Sequence, residues 1–190
     1  MTETIISICL GIGLAAAAGF RVFVPLFVLS LATHFGYVPV GESFTWIGST
    51  TAIICLGIAT IVEIFAYFIP YIDNLLDSLA IPLASIAGTV VMASTLIDLD
   101  PMLTWGLAII AGGGTATALN TATAATRATS TATTGGLANP LVATTETATA
   151  SFVSVIAIFL PILAFIIVVL MIFLAVKLFK KFKKNRANNN

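Results

Sequence analysis

Charge is what this sequence has least of. Asp, Glu, Lys and Arg make up 8% of the chain, against about 25% in soluble domains, which excludes a water-exposed globular fold. One histidine and two cysteines are present. Cys9 and Cys55 lie in apolar runs with no CxxC spacing, so neither a zinc site nor a disulfide framework is expected. His34 has no second His or Cys nearby and reads as a loop residue. Motifs for chemistry are missing as well: there is no HExxH, GxSxG, Walker A lysine, CxxCH, or GxGxxG after a strand. No enzyme, cofactor or metal is therefore expected. Gly112-Gly113-Gly114 lacks the lysine and strand of a phosphate loop and reads as a helix kink or close contact. A folded basic surface for nucleic acid is lacking too.

What is present is apolar. Hydrophobic residues form 59% of the chain and the mean hydropathy is +1.11, values that place it in a bilayer. Uncharged stretches cover 4–20, 22–41, 43–62, 78–97, 101–126 and 147–176, each near the ~20 residues that cross a ~30 Å hydrocarbon core. The pattern predicts helices at about 5–32, 45–70, 79–97, 102–127 and 148–177. Breaks fall at 34–39, from Pro70 to Asp77, at Asp98-Leu99-Asp100-Pro101, and at Gly135-Gly136-Leu137-Ala138-Asn139-Pro140. The first run contains Gly19 and Pro25, so it is either one kinked crossing or two half-helices meeting near Arg21. Residues 140–150 are a candidate re-entrant arm. The segment ending in Ala15-Ala16-Ala17-Ala18-Gly19 lacks a basic start and is read as a retained membrane segment, not a cleaved signal.

The zero formal charge hides a segregation. All eight acids lie within 1–176 with only Arg21 and Arg127 as bases; the other six bases, from Lys177 to Arg186, lie within 177–190. This divides the chain into one integral-membrane helical domain, 1–176, and a basic tail, 177–190, which the positive-inside rule assigns to the cytoplasm.

Residues 115–150 hold 13 Thr and 11 Ala. Small residues let helices approach closely in lipid and Thr can bond back to its own helix. Gly11, Ala15, Gly19 and Gly13, Ala17, Arg21 repeat the same spacing, so the first helix and this segment are expected to be interior and packed together. The Leu/Ile/Val/Phe-rich stretch 152–176 is expected to form the lipid-facing wall. An echo between Ala16–Arg21 and Ala122–Arg127, and between Pro82-Leu83-Ala84-Ser85 and Pro140-Leu141-Val142-Ala143, admits a two-repeat architecture of the kind found in transporters.

Four charges fall inside apolar runs: Arg21, Glu63, Arg127 and Glu146. Left alone in lipid each would cost ~2.5–3.5 kcal/mol, about 10–14 kcal/mol together, so none can face lipid. Two bases and two acids cancel, as Arg21 with Glu63 and Arg127 with Glu146, or crossed. Such pairs either fix helix register or line a polar pathway. Asn120, Thr117, Thr123 and Arg127 share one helix face, as do Ala59, Glu63, Tyr67 or Ala66, and Pro70 on another. Asp73 and Asp77, one turn apart, could hold a hard cation with help from Tyr71 and Asn74, or else cap a following helix. Asp98 and Asp100 before Pro101 read as a turn and cap.

The stretch Ala15-Ala16-Ala17-Ala18-Gly19-Phe20-Arg21-Val22-Phe23-Val24-Pro25-Leu26 resembles a family of small bacterial inner-membrane proteins known as a domain of unknown function. The similarity also touches Glu63, Ile69-Pro70-Tyr71-Ile72-Asp73, Ala87-Gly88, Arg127, Asn139-Pro140 and Glu146, and spans most of 8–150. In that pattern an acidic pair is expected where Glu146-Thr147 stands, and a charged residue where Tyr67 stands. The resemblance implies a bacterial inner-membrane location and no particular activity.

The reading is an all-α, polytopic transmembrane bundle of about five crossings with kinked or re-entrant segments. Its expected role is a transporter or channel-like protein that moves a small solute or ion along Arg21, Glu63, Asn120, Arg127 and Glu146. A non-transporting scaffold or accessory subunit, or a lipid-binding membrane protein, is the alternative. Membrane lipid is the expected partner, and a homodimer the candidate assembly.

Overall fold

The first apolar run does not stay one helix. In a computed structural model, which describes residues 2–97 and 99–187 but not the side chains of 70, 71, 74, 178, 179 and 181–187, it forms α1, Thr2–Ala18, and α2, Phe23–His34. Pro25 sits in the first turn of α2, where a missing N–H costs no helix bond. Leu29 and Ala32 of α2 share an apolar cluster with Leu10 and Leu14 of α1, so α2 doubles back along α1 and Arg21 lies at the tip of the hairpin. A 3-10 turn, Glu42–Gly48, leads into α3, Thr50–Ala66, bent from it by 65°. α4 is Pro70–Thr95, and α5, Pro101–Leu107, continues through a π-helical turn, Ala108–Gly113, into α6, Gly114–Thr134. Gly135 and Gly136, at φ 63° and 87°, make the turn to α7, Asn139–Phe159, which is followed by α8, Pro161–Ala187.

Small residues make α1 the axis. A side chain at Gly11 would strike Met92 and Thr95 of α4, one at Gly13 Ala157 of α7 and Ala164 of α8, and one at Gly19 Ala116 and Leu119 of α6. Residues Cys9 to Ala18 are accordingly almost all buried. Gly13 meets both Ala157 and Ala164, while Val153 and Val168 share the cluster of Ala16 and Ala17, so α7 and α8 are antiparallel. α4 runs against both α1 and α6, and α3 against α2, with Glu63 near Val22 and Gly57 against Phe27.

Three helical stretches, Leu75–Thr95, Pro101–Thr134 and Asn139–Phe159, are long and apolar enough to span a bilayer. The bent pair 42–66, taken as one broken span, makes a fourth, and Pro161–Lys177 is a shorter apolar helix. The fold is thus an all-α multi-pass bundle, with about five end-to-end passes around the α1–α2 hairpin.

Several expected boundaries move, each for a local reason. The helix expected from 79 begins at Pro70, a first-turn proline with Asp73 beside it at the positive helix end; Asp73 and Asp77 therefore belong to the helix and do not precede it. The helix expected to end at 127 runs to Thr134. The single helix expected over 148–177 is two, because Pro161 cannot donate and biases Leu160, at φ −136° and ψ 64°, out of the helical region. Residues 140–150 are the start of α7, not a separate arm. α8 continues to Ala187, so no break separates the membrane helix from the basic stretch.

α6 is not wholly interior either. Thr121, Thr126, Thr129 and Thr133 are exposed, each hydroxyl donating at 2.8–3.1 Å to the carbonyl four residues back. A threonine bonded this way presents a methyl outward, which lipid accepts. The two sequence echoes sit in unlike settings: Arg21 at a helix break and Arg127 within α6, Pro82 inside α4 and Pro140 in the first turn of α7.

Asp100 caps α5, its carboxylate accepting from Met102 N at 2.9 Å; Asp98 lies outside the described residues. Asp100→Ala should lower the stability of the detergent-solubilised protein by about 1 kcal/mol, the usual worth of such a cap, in a denaturant titration. His34 ends α2, its ring bonded to Gly48 O at 2.8 Å.

Candidate functional site: a buried cluster of arginines and acids

The charged side chains of α3, α4, α6 and α7 converge on the tip of the α1–α2 hairpin. Arg21, Glu63, Asp73, Asn120, Arg127 and Glu146 are all buried. Arg127 is the hub. Its Nε donates to Glu146 Oε1 at 3.0 Å and its Nη2 to Glu146 Oε2, a bidentate fork, while Nη1 donates to Asp73 Oδ1 at 2.5 Å. Asp77 lies 3.8 Å from the same guanidinium and is the most accessible of the acids paired with it, with 29% of its side chain exposed. Bidentate, charge-assisted contacts of this kind are the strongest hydrogen bonds a protein makes.

Arg21 is held differently. Nε donates to Thr147 Oγ1 and Nη2 to Ala143 O, both at 2.9 Å, and Nη2 is 3.4 Å from Glu146 Oε2. Glu146 therefore bridges the two arginines. Tyr67 lies against both, its ring centroid 3.9 Å from Arg21 Cζ and 4.3 Å from Arg127 Cζ. An aromatic face is one of the few neighbours that attracts two cations at once.

The expected pairing of Arg21 with Glu63 is not what forms among the described contacts. Glu63 accepts from two backbone amides, Val22 N at 2.7 Å and Phe23 N at 2.9 Å. Those amides open α2, where the helix dipole favours an anion. The carboxylate thus fastens α3 to the hairpin tip. Asn120 donates to Gly19 O at 3.1 Å on the other side of the tip. Its Oδ1 and the Nη1 of Arg21 are buried without a hydrogen-bond partner among the described residues. Thr117 and Thr123 share the Asn120–Arg127 face but are only half-buried.

Asp73 and Asp77 face Arg127, so a guanidinium stands beside the expected cation site, and among the described residues no three metal-ligating side chains converge. The side chains of Tyr71 and Asn74, considered as further ligands, lie outside the described residues. Two members were missed from sequence. Thr147, where the family pattern led to an expected acid, is a hydrogen-bond partner of Arg21; Asn139 donates to Asp73 Oδ2 at 3.3 Å and was visible only as part of Asn139-Pro140.

Depth follows from helix rise. Glu146 is 159 − 146 = 13 residues from the end of α7 and 7 from its start, about 20 Å and 10 Å at 1.5 Å per residue. The cluster lies inside the bundle, nearer the end where α6 turns into α7. α8 runs toward that same end, because Ala164 sits beside Gly13 and Val168 near Ala17.

A cavity of about 380 Å³ between α3 and α4 touches the cluster. Its walls include Phe23, Ile58, Ala59, Val62, Leu76 and Leu83, and its polar members are Glu63 and Tyr67. α3 rests on α2 and hardly touches α4, which leaves the cleft.

A multi-pass helical membrane protein with buried, interlocked charges is the class these features define. Residues 8–181 match the family model described as domain of unknown function (DUF4126), and the chain belongs to that family. No curated protein and no solved structure matches it.

Proposed function

We propose that the protein is a transporter that moves a small solute or ion across the bacterial inner membrane, with the arginine–acid cluster as its site and a proton as one of the charges carried. The observation that supports this most strongly is an imbalance. Two arginines stand against the four carboxylates of Glu63, Asp73, Asp77 and Glu146, 2 − 4 = −2 if all are ionised. Helix α2 compensates Glu63 through its N-terminal amides, and the arginines compensate two more, which leaves one excess negative charge at membrane depth. An uncompensated charge there costs ~2.5–3.5 kcal/mol, so a proton or cation bound in the cluster is favoured. Asp73, Asp77 and Glu146 surround Arg127 instead of converging on one point, an arrangement that suits a proton. Asp77, the partly exposed member, is the place to load and unload it.

Two further features support a path. The orphaned Arg21 Nη1 and Asn120 Oδ1 offer a donor and an acceptor to a solute, and buried polar atoms of this kind call for a partner. The hairpin tip at 19–22 is a backbone irregularity at the site, and the π turn at 108–113 interrupts the same helical run that carries Asn120 and Arg127; transporters bend at such places. By the positive-inside rule the basic end of α8, and with it the shallow side of the cluster, faces the cytoplasm.

A scaffold reading is favoured by the tight fork on Arg127. The two readings part at Asp77, which contributes least to packing. In proteoliposomes under a valinomycin-set potential, the wild type should acidify the lumen faster than protein-free vesicles do. Asp77→Asn should cut that excess about tenfold while leaving the melting temperature unchanged. A wild-type rate equal to that of empty vesicles would leave the scaffold as the surviving reading.

A further inference from the structure

The cleft between α3 and α4 is set apart by its combination of walls and floor. It opens sideways, between helices whose outer faces carry exposed Ile54, Ile61, Phe65, Leu75 and Leu79, so its mouth meets hydrocarbon and not water. The walls are apolar, yet the inner end is formed by Glu63, 7% exposed, and by Tyr67, 8% exposed. A volume of about 380 Å³ lies within the ~300–1,000 Å³ of small-molecule sites.

Charge decides what fits. Each Glu63 oxygen accepts one backbone amide, and a carboxylate oxygen can accept two bonds, so capacity remains on the cleft side. Beyond it the cluster has an acid surplus. A neutral chain would bury apolar surface but leave that capacity unused, and an anion would meet the carboxylate head-on. A cation with apolar flanks satisfies both parts, and in a dry cleft its attraction to the carboxylate is weakly screened.

We propose that this cleft is a binding site for a lipophilic monovalent cation, which enters laterally from the bilayer and places its positive centre against Glu63 and Tyr67. The inference deepens the transport reading, and rests on it only for regarding the occupant as cargo; the binding itself stands or falls separately.

Two ions of the same shape and opposite charge make the test. Radiolabelled tetraphenylphosphonium should bind the purified full-length protein in nanodiscs saturably and above protein-free nanodiscs, whereas radiolabelled tetraphenylborate, measured in separate samples because the two ions pair with each other, should not. Glu63→Gln should weaken binding about tenfold, because it removes the opposite charge from a weakly screened cleft. Because Glu63 also fastens α2, Ala59→Phe serves as a second variant: it fills the cleft from its wall, leaves every charge in place, and should abolish binding with the melting temperature kept.

Equal binding of both ions, or tetraphenylphosphonium binding untouched by Ala59→Phe, would overturn the site. So would a tightly held phospholipid in the cleft, seen by native mass spectrometry, that the probe cannot displace. Probe binding without proton flux counts against transport alone; flux without probe binding counts against this site alone.

Discussion

Replacing Arg127 by alanine should lower the melting temperature of the detergent-solubilised protein by about 10 °C, read by the loss of its monodisperse elution peak after heating. The side chain contacts Glu146 through two nitrogens and Asp73 through a third, with Asp77 at 3.8 Å. Its removal leaves three carboxylates with Arg21 as the nearest cation, and stranding a buried partner in this way costs about 3–5 kcal/mol. That is a large part of an ordinary stability of about 5–15 kcal/mol. Arg127→Lys should fall between, since an ammonium supplies the charge but cannot span Glu146 and Asp73 with a fork. The control is compensatory: Asp73→Asn or Glu146→Gln added to Arg127→Ala should recover part of the loss, because the stranded charge is what destabilises. Arg21→Ala should cost less, since two of its three polar contacts are to the Thr147 hydroxyl and the Ala143 carbonyl, neither of which carries charge.

The contrast between the two arginines also shows what one sequence can reveal. Arg21, Glu63, Arg127 and Glu146 stand out because a charge in an uncharged run has a cost that must be offset somewhere. That cost names the residues and not their partners. Glu63 is compensated by the amides of Val22 and Phe23, groups every residue but proline carries, so no side-chain pattern announces them. Asp73 and Asp77 were legible as a turn-spaced pair, but their relation to Arg127 depends on α4 starting at Pro70. Proline before an acidic residue can end one helix or open the next, and only the packing of α4 along α1 and α6 decides. Pro161 was similarly ambiguous: in lipid both sides of the break are equally apolar, so hydropathy passes through without a mark. The interior position of α1 was easier to see, because four-residue spacing of Gly and Ala reports close approach directly. The Ala/Thr segment shares that composition while turning a threonine face outward, since a back-bonded hydroxyl erases the difference between inside and outside.

Close approach leads to the second large effect. A Cβ on Gly112 would lie 2.5 Å from Gly88 O and 2.7 Å from Met92 Cβ, and one on Gly88 would lie 2.6 Å from Ala116 Cβ and 2.7 Å from Gly112 O. Two of these four contacts are backbone carbonyls, which cannot swing aside as a side-chain tip can. Gly112→Ala should therefore destabilise by about 1–3 kcal/mol, as overpacking does, and Gly112→Leu should prevent α4 and α6 from meeting and leave little folded protein. The consequence reaches the charged site, because Arg127 and Asp73 lie on the same two helices, 127 − 112 = 15 and 88 − 73 = 15 residues along from the contact. Wedging α6 away from α4 moves the guanidinium from its carboxylate, so Gly112→Ala should lose proton flux by more than its stability change accounts for. Gly106→Ala is the matched control: nothing lies within 4 Å of a Cβ there, and alanine in a helix is better than glycine by about 1 kcal/mol, so its melting temperature should hold or rise. A Gly112→Leu protein that elutes, melts and conducts like the wild type would show that the α4–α6 contact neither limits assembly nor sets the distance between Arg127 and its acids.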